Sequence, residues 1–186
     1  KDKKGYIIDA PDGIGPWVKK IKERGDEVNY VLLTHGHFDH VMGLKEILSY
    51  FPEAEIYITK EDHPLLISDN LRILSSFGIP ISLYSMPEIS LFNSYKDTLG
   101  PFEIIPTPGH TKGGVSLYIR SEGILFSGDT LFQGGEGRTD LGGNWRELMA
   151  SLKKICTLDD KTIVLPGHGG RTTIKYEMER LGFTPL

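Results

Sequence analysis

Short apolar runs rich in Val, Ile, Leu and Tyr recur along the chain, and between several of them the apolar positions shift to a spacing of three to four residues. The first pattern suits a strand and the second an amphipathic helix, so their alternation predicts an α/β protein. "GYIID" (5–9) predicts a strand, "GPWVKKIKERG" (15–25) a helix opened by Pro16 and closed by Gly25, and "VNYVLLT" (28–34) a buried strand. A helix with the apolar face Val41, Leu44, Ile47, Leu48 and Phe51 follows, then a strand at "AEIYIT" (54–59). The opening is therefore βαβαβ.

From Lys60 to Ile89 the pattern predicts a helix ending at Gly78 and then a proline-punctuated loop with an edge strand. Three strands then come close together: "FEIIPT" (102–107), "GVSLYIR" (114–120) and "GILFSGD" (123–129). A Gly-rich loop, a helix over 144–157, the strand "TIVLPG" (162–167) and a last helix near 173–182 complete the order. Within 144–157, Trp145, Leu148, Met149, Leu152, Ile155 and Cys156 follow a core-facing stripe, so the cysteine reads as a core residue. No internal repeat stands out.

Length changes this picture only by limiting it: 186 residues, 39% of them hydrophobic, supply one well-buried core, so a single domain over 1–186 is expected. The chain opens at "KDKKGYIID" without an initiator Met, and the domain is read as lacking its first N-terminal strands. With 21 Lys and Arg against 25 Asp and Glu, the net charge is −4, and no basic stripe exists to track a phosphate backbone. No nucleic-acid partner is expected. No apolar run reaches the length of a membrane span, which argues against a membrane partner. One cysteine cannot form an intramolecular disulfide and agrees with a reducing compartment, so the expected location is cytoplasmic.

The chemistry concentrates in "THGHFDH" (34–40), which holds three of the six histidines and an aspartate. Crowded imidazoles beside a carboxylate match the donors preferred by zinc, iron or manganese. The plain alternative is a polar loop in which Asp39 caps a helix starting near Val41. Further donors decide between them. His110 in "PTPGHT", Asp129 in "FSGDT" and His168 in "LPGHGG" each directly follow an apolar strand-like run. With the first cluster they make four loops, each at the C-terminal end of a strand and each with a nearby glycine: Gly36, Gly109, Gly128 and Gly167. Such strand ends are where α/β sheets assemble sites, and glycine lets the backbone turn and approach closely.

An extended trace would point His35, His37 and Asp39 to one side and turn His40 elsewhere. Five histidines and two carboxylates exceed the three or four protein ligands of one zinc ion, so two ions are the economical reading. His63, in "KEDHPLL", lacks the strand-end and glycine context and is read as a surface or helix-start histidine.

"THGHFDH", "PGHT", "SGDTLF", "GRTDL" and "PGHGGRTT" resemble, in order, the successive motifs of the metallo-β-lactamase superfamily. "GDTLFQGGEGRTDLGG" is most similar to its small, single-domain, glyoxalase II-like bacterial hydrolases. The resemblance implies an αββα sandwich, with two mixed β-sheets face to face and helices outside. It also implies that His35, His37 and His110 hold one ion, that Asp39, His40 and His168 hold the other, and that Asp129 bridges them. The resemblance further implies Asp39 and Asp129 as the catalytic carboxylates. Two divalent metal ions are the implied cofactors, zinc first, with iron and manganese as alternatives. β-Lactamases of the superfamily usually carry cysteine or serine where Asp129 stands, which points away from β-lactams. Full-length glyoxalase II carries a further helical domain that grips glutathione, whereas 18 residues follow His168 here.

The expected activity is hydrolysis of a thioester or similar activated acyl compound by a metal-bridging hydroxide. Lys112, Arg138 and Arg171 are the candidates for an anionic substrate tail, although Arg138 and Asp140 in "GRTDL" also suit a loop-bracing pair. Thr34, Thr111 and Thr130 adjoin the ligands and suit supporting hydrogen bonds. Two other readings stay open. Sulfur dioxygenases that act on glutathione persulfide share the motif set but use a single iron held by two histidines and an aspartate. A metal-stabilised binding module without turnover is the reading from a different class.

Overall fold

The computed structural model describes residues 4–88 and 92–183; Lys1–Lys3, Ile89–Leu91 and Thr184–Leu186, which include the end of the proline-punctuated stretch and of the chain, lie outside them. The chain divides into two compact units between Ser94 and Tyr95.

The first unit runs β1 (Tyr6–Ile8), α1 (Gly15–Glu23), β2 (Tyr30–Leu32), α2 (Leu44–Tyr50), β3 (Glu55–Ile58), α3 (Asn70–Ser76) and β4 (Phe92–Ser94). Its sheet has the order β1-β2-β3-β4, and the described pairings are parallel, with Tyr6 opposite Tyr30, Val31 opposite Ile56 and Ile56 opposite Phe92. Parallel neighbours need long crossovers, and the predicted helices fall in those crossovers. α1 has proline in its first turn, where a missing N–H costs nothing, and Gly25 follows it at φ 74. Val31, Leu33, Val41, Leu44, Ile47, Ile56 and Ile58 form the fully or almost fully buried centre of this unit's core.

The segment 60–83 is less regular than one predicted helix. A 3₁₀ turn at Lys60–Asp62 leads to a π-wound stretch, Leu65–Asp69, that runs into α3, and a second 3₁₀ turn follows at Ile81–Leu83. Gly78, at φ 69, does terminate the helix.

The second unit holds β5 (Thr98–Leu99), β6 (Phe102–Pro106), β7 (Val115–Ile119), β8 (Ile124–Gly128), β9 (Leu131–Phe132), β10 (Gly135–Glu136), α4 (Trp145–Ile155), β11 (Ile163–Pro166), β12 (Thr172–Thr173) and α5 (Ile174–Arg180). Its main sheet is mixed, in the order β12-β11-β8-β7-β6-β5, with β11 and β8 parallel and the other pairs antiparallel. β9 and β10 form a small hairpin inside the Gly-rich loop. Asn144 caps α4 by accepting hydrogen bonds from the backbone N–H groups of Arg146 (2.9 Å) and Glu147 (3.2 Å). Leu148, Leu152 and Ile155 are fully buried, as the stripe predicts. Trp145 is not: it is 51% exposed. It is the first helical residue, and helical side chains lean toward the N-terminus, so its ring projects past the core that the later turns cover.

Cys156 is buried beside this core, and desolvation pushes its thiol up to about 11. At pH 8 only about one molecule in a thousand would carry the reactive thiolate. A thiol-specific reagent is therefore expected to label the native protein at least about 100-fold more slowly than the urea-unfolded chain; equal rates would put the thiol on the surface.

Candidate metal centre

The first unit holds one histidine loop. β2 ends at Leu32, the chain bends at Thr34, and His37 is extended (φ −67, ψ 151) before a 3₁₀ turn at Phe38–His40. That turn corrects the extended-trace expectation for His40. It swings the ring back, so that the His35 and His40 centroids lie 4.1 Å apart, while His37 meets His35 edge-on at 4.9 Å. All three imidazoles are buried. Asp39 sits inside the turn and is half-buried, with a carboxylate oxygen 3.9 Å from His40 Nε2. It caps no helix, because α2 begins at Leu44 behind Gly43.

A residue that the sequence reading missed orients this loop. The buried Asp9, at the end of β1, accepts hydrogen bonds from the Thr34 N–H (2.7 Å), from the Thr34 hydroxyl (2.8 Å) and from His40 Nδ1 (2.8 Å). With Nδ1 so occupied, the His40 tautomer is fixed and Nε2 faces the Asp39 side. Asp9 has a positive φ of 58, a region that few non-glycine residues enter, and backbone bonds from Ala10 N to His40 O (2.7 Å) and from Gly43 N to Ala10 O (2.8 Å) hold it there. Thr34 Oγ1 also lies 3.1 Å from His35 Nδ1, so Thr34 does support the ligands.

The second unit holds three donors, each at a strand end. His110 follows β6 through Gly109, whose φ of 135 and closeness to Leu148 (2.2 Å from a built Cβ to Leu148 N) leave room only for glycine. Its Nδ1 donates to the Arg138 carbonyl at 2.7 Å, and its Nε2 lies 3.6 Å from Asp129 Oδ2. Asp129 follows β8 and is almost fully buried. His168 follows β11; its Nε2 is 3.5 Å from the same Asp129 oxygen, its side chain is half exposed, and the Phe132 ring stands across it at 6.1 Å. Asp129 thus faces two imidazoles from two loops. The fully buried Glu177, also absent from the sequence reading, accepts from Gly134 N (2.9 Å), the Thr172 hydroxyl (2.8 Å) and Arg180 Nε (2.7 Å), which ties the Phe132 loop to α5.

Thr130 serves packing rather than the ligands, since its hydroxyl donates to Thr107 Oγ1 at 3.1 Å. Thr111 is buried. Arg138 forms a bidentate pair with Asp140 (2.6 and 2.5 Å), and this hydrogen-bonded guanidinium holds the Asp140 carboxyl down at about 2. The brace is therefore fully present above the ordinary carboxylate value of 3.8 and is lost as pH falls toward about 2. Lys112 and Arg171 are exposed, and Arg171 lines an open cleft of about 430 Å³ with Gln133, Ile163, Thr172, Thr173 and Tyr176. His63 is half-buried with its ring edge-on to Phe92 at 6.4 Å.

The donor set is imidazole nitrogen and carboxylate oxygen, with the His35, His40 and His110 rings engaged through Nδ1 so that Nε2 would be the coordinating atom, which fits a divalent transition metal. Histidine and aspartate groups that could hold a metal ion are present among the described residues.

Known proteins agree with this chemistry. The model of the metallo-β-lactamase superfamily matches residues 2–168, and the chain belongs to that superfamily and has its α/β fold. It is 37% identical to a probable metallo-hydrolase, YqgX, of Bacillus subtilis, over 95% of this chain and 86% of that one. It is 34% identical to the hydroxyacylglutathione hydrolase GloC of Haemophilus influenzae, over 95% and 85%. Among solved structures, TTHA1623 in a di-iron-bound form superposes with a TM-score of 0.82 at 31% identity, covering 93% of this chain and 86% of that chain. The B3 metallo-β-lactamase BLEG-1 superposes with a TM-score of 0.85 at 34% identity, covering 96% and 88%. The protein is a metallo-hydrolase of this superfamily. No helix among the described residues is long and apolar enough to cross a membrane.

Proposed function

We propose that this protein is a binuclear thioester hydrolase acting on an anionic acyl thioester in the cytoplasm. The observation that carries the reading is the pair of half-sets: a histidine loop with its own carboxylate, and a buried Asp129 facing two further imidazoles. The motifs of the superfamily imply one ion on His35, His37 and His110 and the other on Asp39, His40 and His168, with Asp129 shared between them. Bound divalent ions supply a water acidic enough to attack at neutral pH and a Lewis acid for the substrate carbonyl.

The chain's own residues do the rest. Asp9 and the Arg138 carbonyl hold His40 and His110 in one tautomer. Lys112 and Arg171 provide positive charge in a protein of net charge −4 and would draw in an anionic tail. Arg138 has the lesser claim, since Asp140 occupies its fork. No side-chain general acid is needed at the leaving group, because a thiol of pKa about 8.5 departs readily as thiolate. The likeness to GloC favours a thioester, and the likeness to BLEG-1 makes a β-lactam the necessary comparison.

The test is a panel of glutathione thioesters, an uncharged thioester and a β-lactam. An anionic thioester is expected to be the best substrate, and Lys112→Ala with Arg171→Ala is expected to raise its KM about tenfold, roughly 1.4 kcal/mol of binding, with kcat little changed. A KM indifferent to both substitutions would dismiss the anion clamp, and preferential β-lactam turnover would replace the thioester reading.

A further inference from the structure

Gly36 sits between the ligands His35 and His37, so the torsions of this one residue aim two imidazoles at once. Its peptide groups are gripped on both sides by residues far away in sequence. The Gly36 N–H donates to Asp62 Oδ2 at 3.0 Å, and the Gly36 carbonyl accepts from Asn70 Nδ2 at 2.8 Å. Both gripping side chains are wholly buried. A third residue backs the second grip: Asn70 Nδ2 also donates to the Tyr84 hydroxyl (2.8 Å), which in turn donates to the Leu66 carbonyl (2.9 Å). Burial pushes the Tyr84 phenol up to about 12, so it stays a neutral donor at any assay pH.

Space gives an independent sign that the segment presses on the loop. A Cβ built on Gly36 would lie 2.9 Å from the Asp62 carbonyl oxygen and 3.0 Å from Leu65 Cβ. The segment thus lies so close to Gly36 that any side chain there would have to displace it. The segment itself departs from regular helix in the same place, with the 3₁₀ turn ending at Asp62 and the π-wound stretch ending just before Asn70. A π-turn adds a residue to the helical circuit and re-aims the side chains beyond it, and such turns are frequent at functional sites. Burying a carboxylate has a substantial desolvation cost, which a purely space-filling role would not require.

We propose that Asp62 and Asn70 are positioning residues that set the histidine loop for metal binding by fixing the Gly36 peptide on both sides. This rests on the metal-centre reading above but not on any particular substrate. The residues would act through Gly36, so removing them should loosen metal binding without removing a ligand. Supporting hydrogen bonds of this kind typically change metal affinity by about 10 to 100-fold.

The experiment is titration of the metal-free full chain with Co²⁺, read by its visible spectrum, on the wild type, Asp62→Ala, Asp62→Asn and Asn70→Leu, with circular dichroism and thermal unfolding of each metal-free chain as the folding control. Asp62→Ala and Asn70→Leu are expected to bind Co²⁺ about 10 to 100-fold more weakly with an altered spectrum, while Asp62→Asn, which keeps an oxygen for the Gly36 N–H, stays within about threefold of wild type. Should Asp62→Ala fail to fold, Asn70→Leu carries the same comparison, and Tyr84→Phe, which deletes only the backing hydroxyl, is expected to weaken Co²⁺ severalfold in a folded chain. Folded Asp62→Ala, Asn70→Leu and Tyr84→Phe chains that all bind Co²⁺ as tightly as wild type would overturn the clamp. A wild type that binds Co²⁺ without hydrolysing any thioester would refute the substrate reading and leave the clamp standing or falling on the titration alone.

Discussion

Asp129→Ala is expected to lose bound metal and turnover together, with kcat down by at least about 100-fold. Asp129 is almost fully buried, and one of its oxygens lies 3.6 Å from His110 Nε2 and 3.5 Å from His168 Nε2. Two imidazoles from different loops converging on one carboxylate oxygen is the arrangement of a shared ligand, whose negative charge would offset the repulsion between two nearby cations. Removing it leaves His110 and His168 without the anion between them. The prediction is checked by metal analysis of the purified variant alongside its steady-state kinetics. Two metals per chain and normal turnover in Asp129→Ala would show that the carboxylate is no bridge.

The second large effect is expected at Asp9, which bonds Thr34 and His40 and is in none of the groups among the described residues that could hold a metal. Asp9→Ala removes three acceptor contacts at once: to the Thr34 N–H, the Thr34 hydroxyl and His40 Nδ1. The stranded buried Thr34 N–H alone should cost about 1–3 kcal/mol of stability. The His40 ring, no longer fixed through Nδ1, should bind its ion about 10 to 100-fold more weakly. Asp9→Asn separates the two effects, because its amide oxygen can still accept from Thr34 while the charge that holds the His40 tautomer is gone. The expected outcome is near-normal urea unfolding in Asp9→Asn with weakened binding of one of two metals, read by chelator competition. Unchanged metal affinity in both variants would reduce Asp9 to a structural residue.

Much of the candidate site was legible in the chain because its donors sit directly after apolar runs. Strand ends at Leu32, Pro106, Gly128 and Pro166 each precede a predicted donor loop by a few residues, and local pattern alone finds them. Asp9 obeys the same rule, following β1, but it is a single carboxylate with no neighbouring histidine, and its partner is 31 residues away. Asp62, Asn70 and Glu177 were hidden for a stronger reason. A buried polar residue is defined by what it bonds to, and hydrogen bonds across 26, 34 and 43 residues leave no periodic trace.

The errors of detail also have physical causes. A helix mouth at His40 would turn its ring away from His35, but α2 starts only at Leu44 and the 3₁₀ turn at Phe38–His40 brings the two rings together. Trp145 was assigned to the core because it fits the stripe of α4, but that stripe begins only where the following turns cover it. The two-residue strands β5, β9, β10 and β12 are too short for any pattern to announce; tertiary pairing makes them.

The most direct measurement is metal content per chain on protein purified without added metal, followed on the same sample by turnover of a glutathione thioester under air and under nitrogen. Two divalent ions per chain, with thiol release independent of oxygen, is the predicted result. One iron per chain, no thioester turnover and oxygen uptake on a persulfide would contradict it, and would assign the same histidine loops to a different reaction.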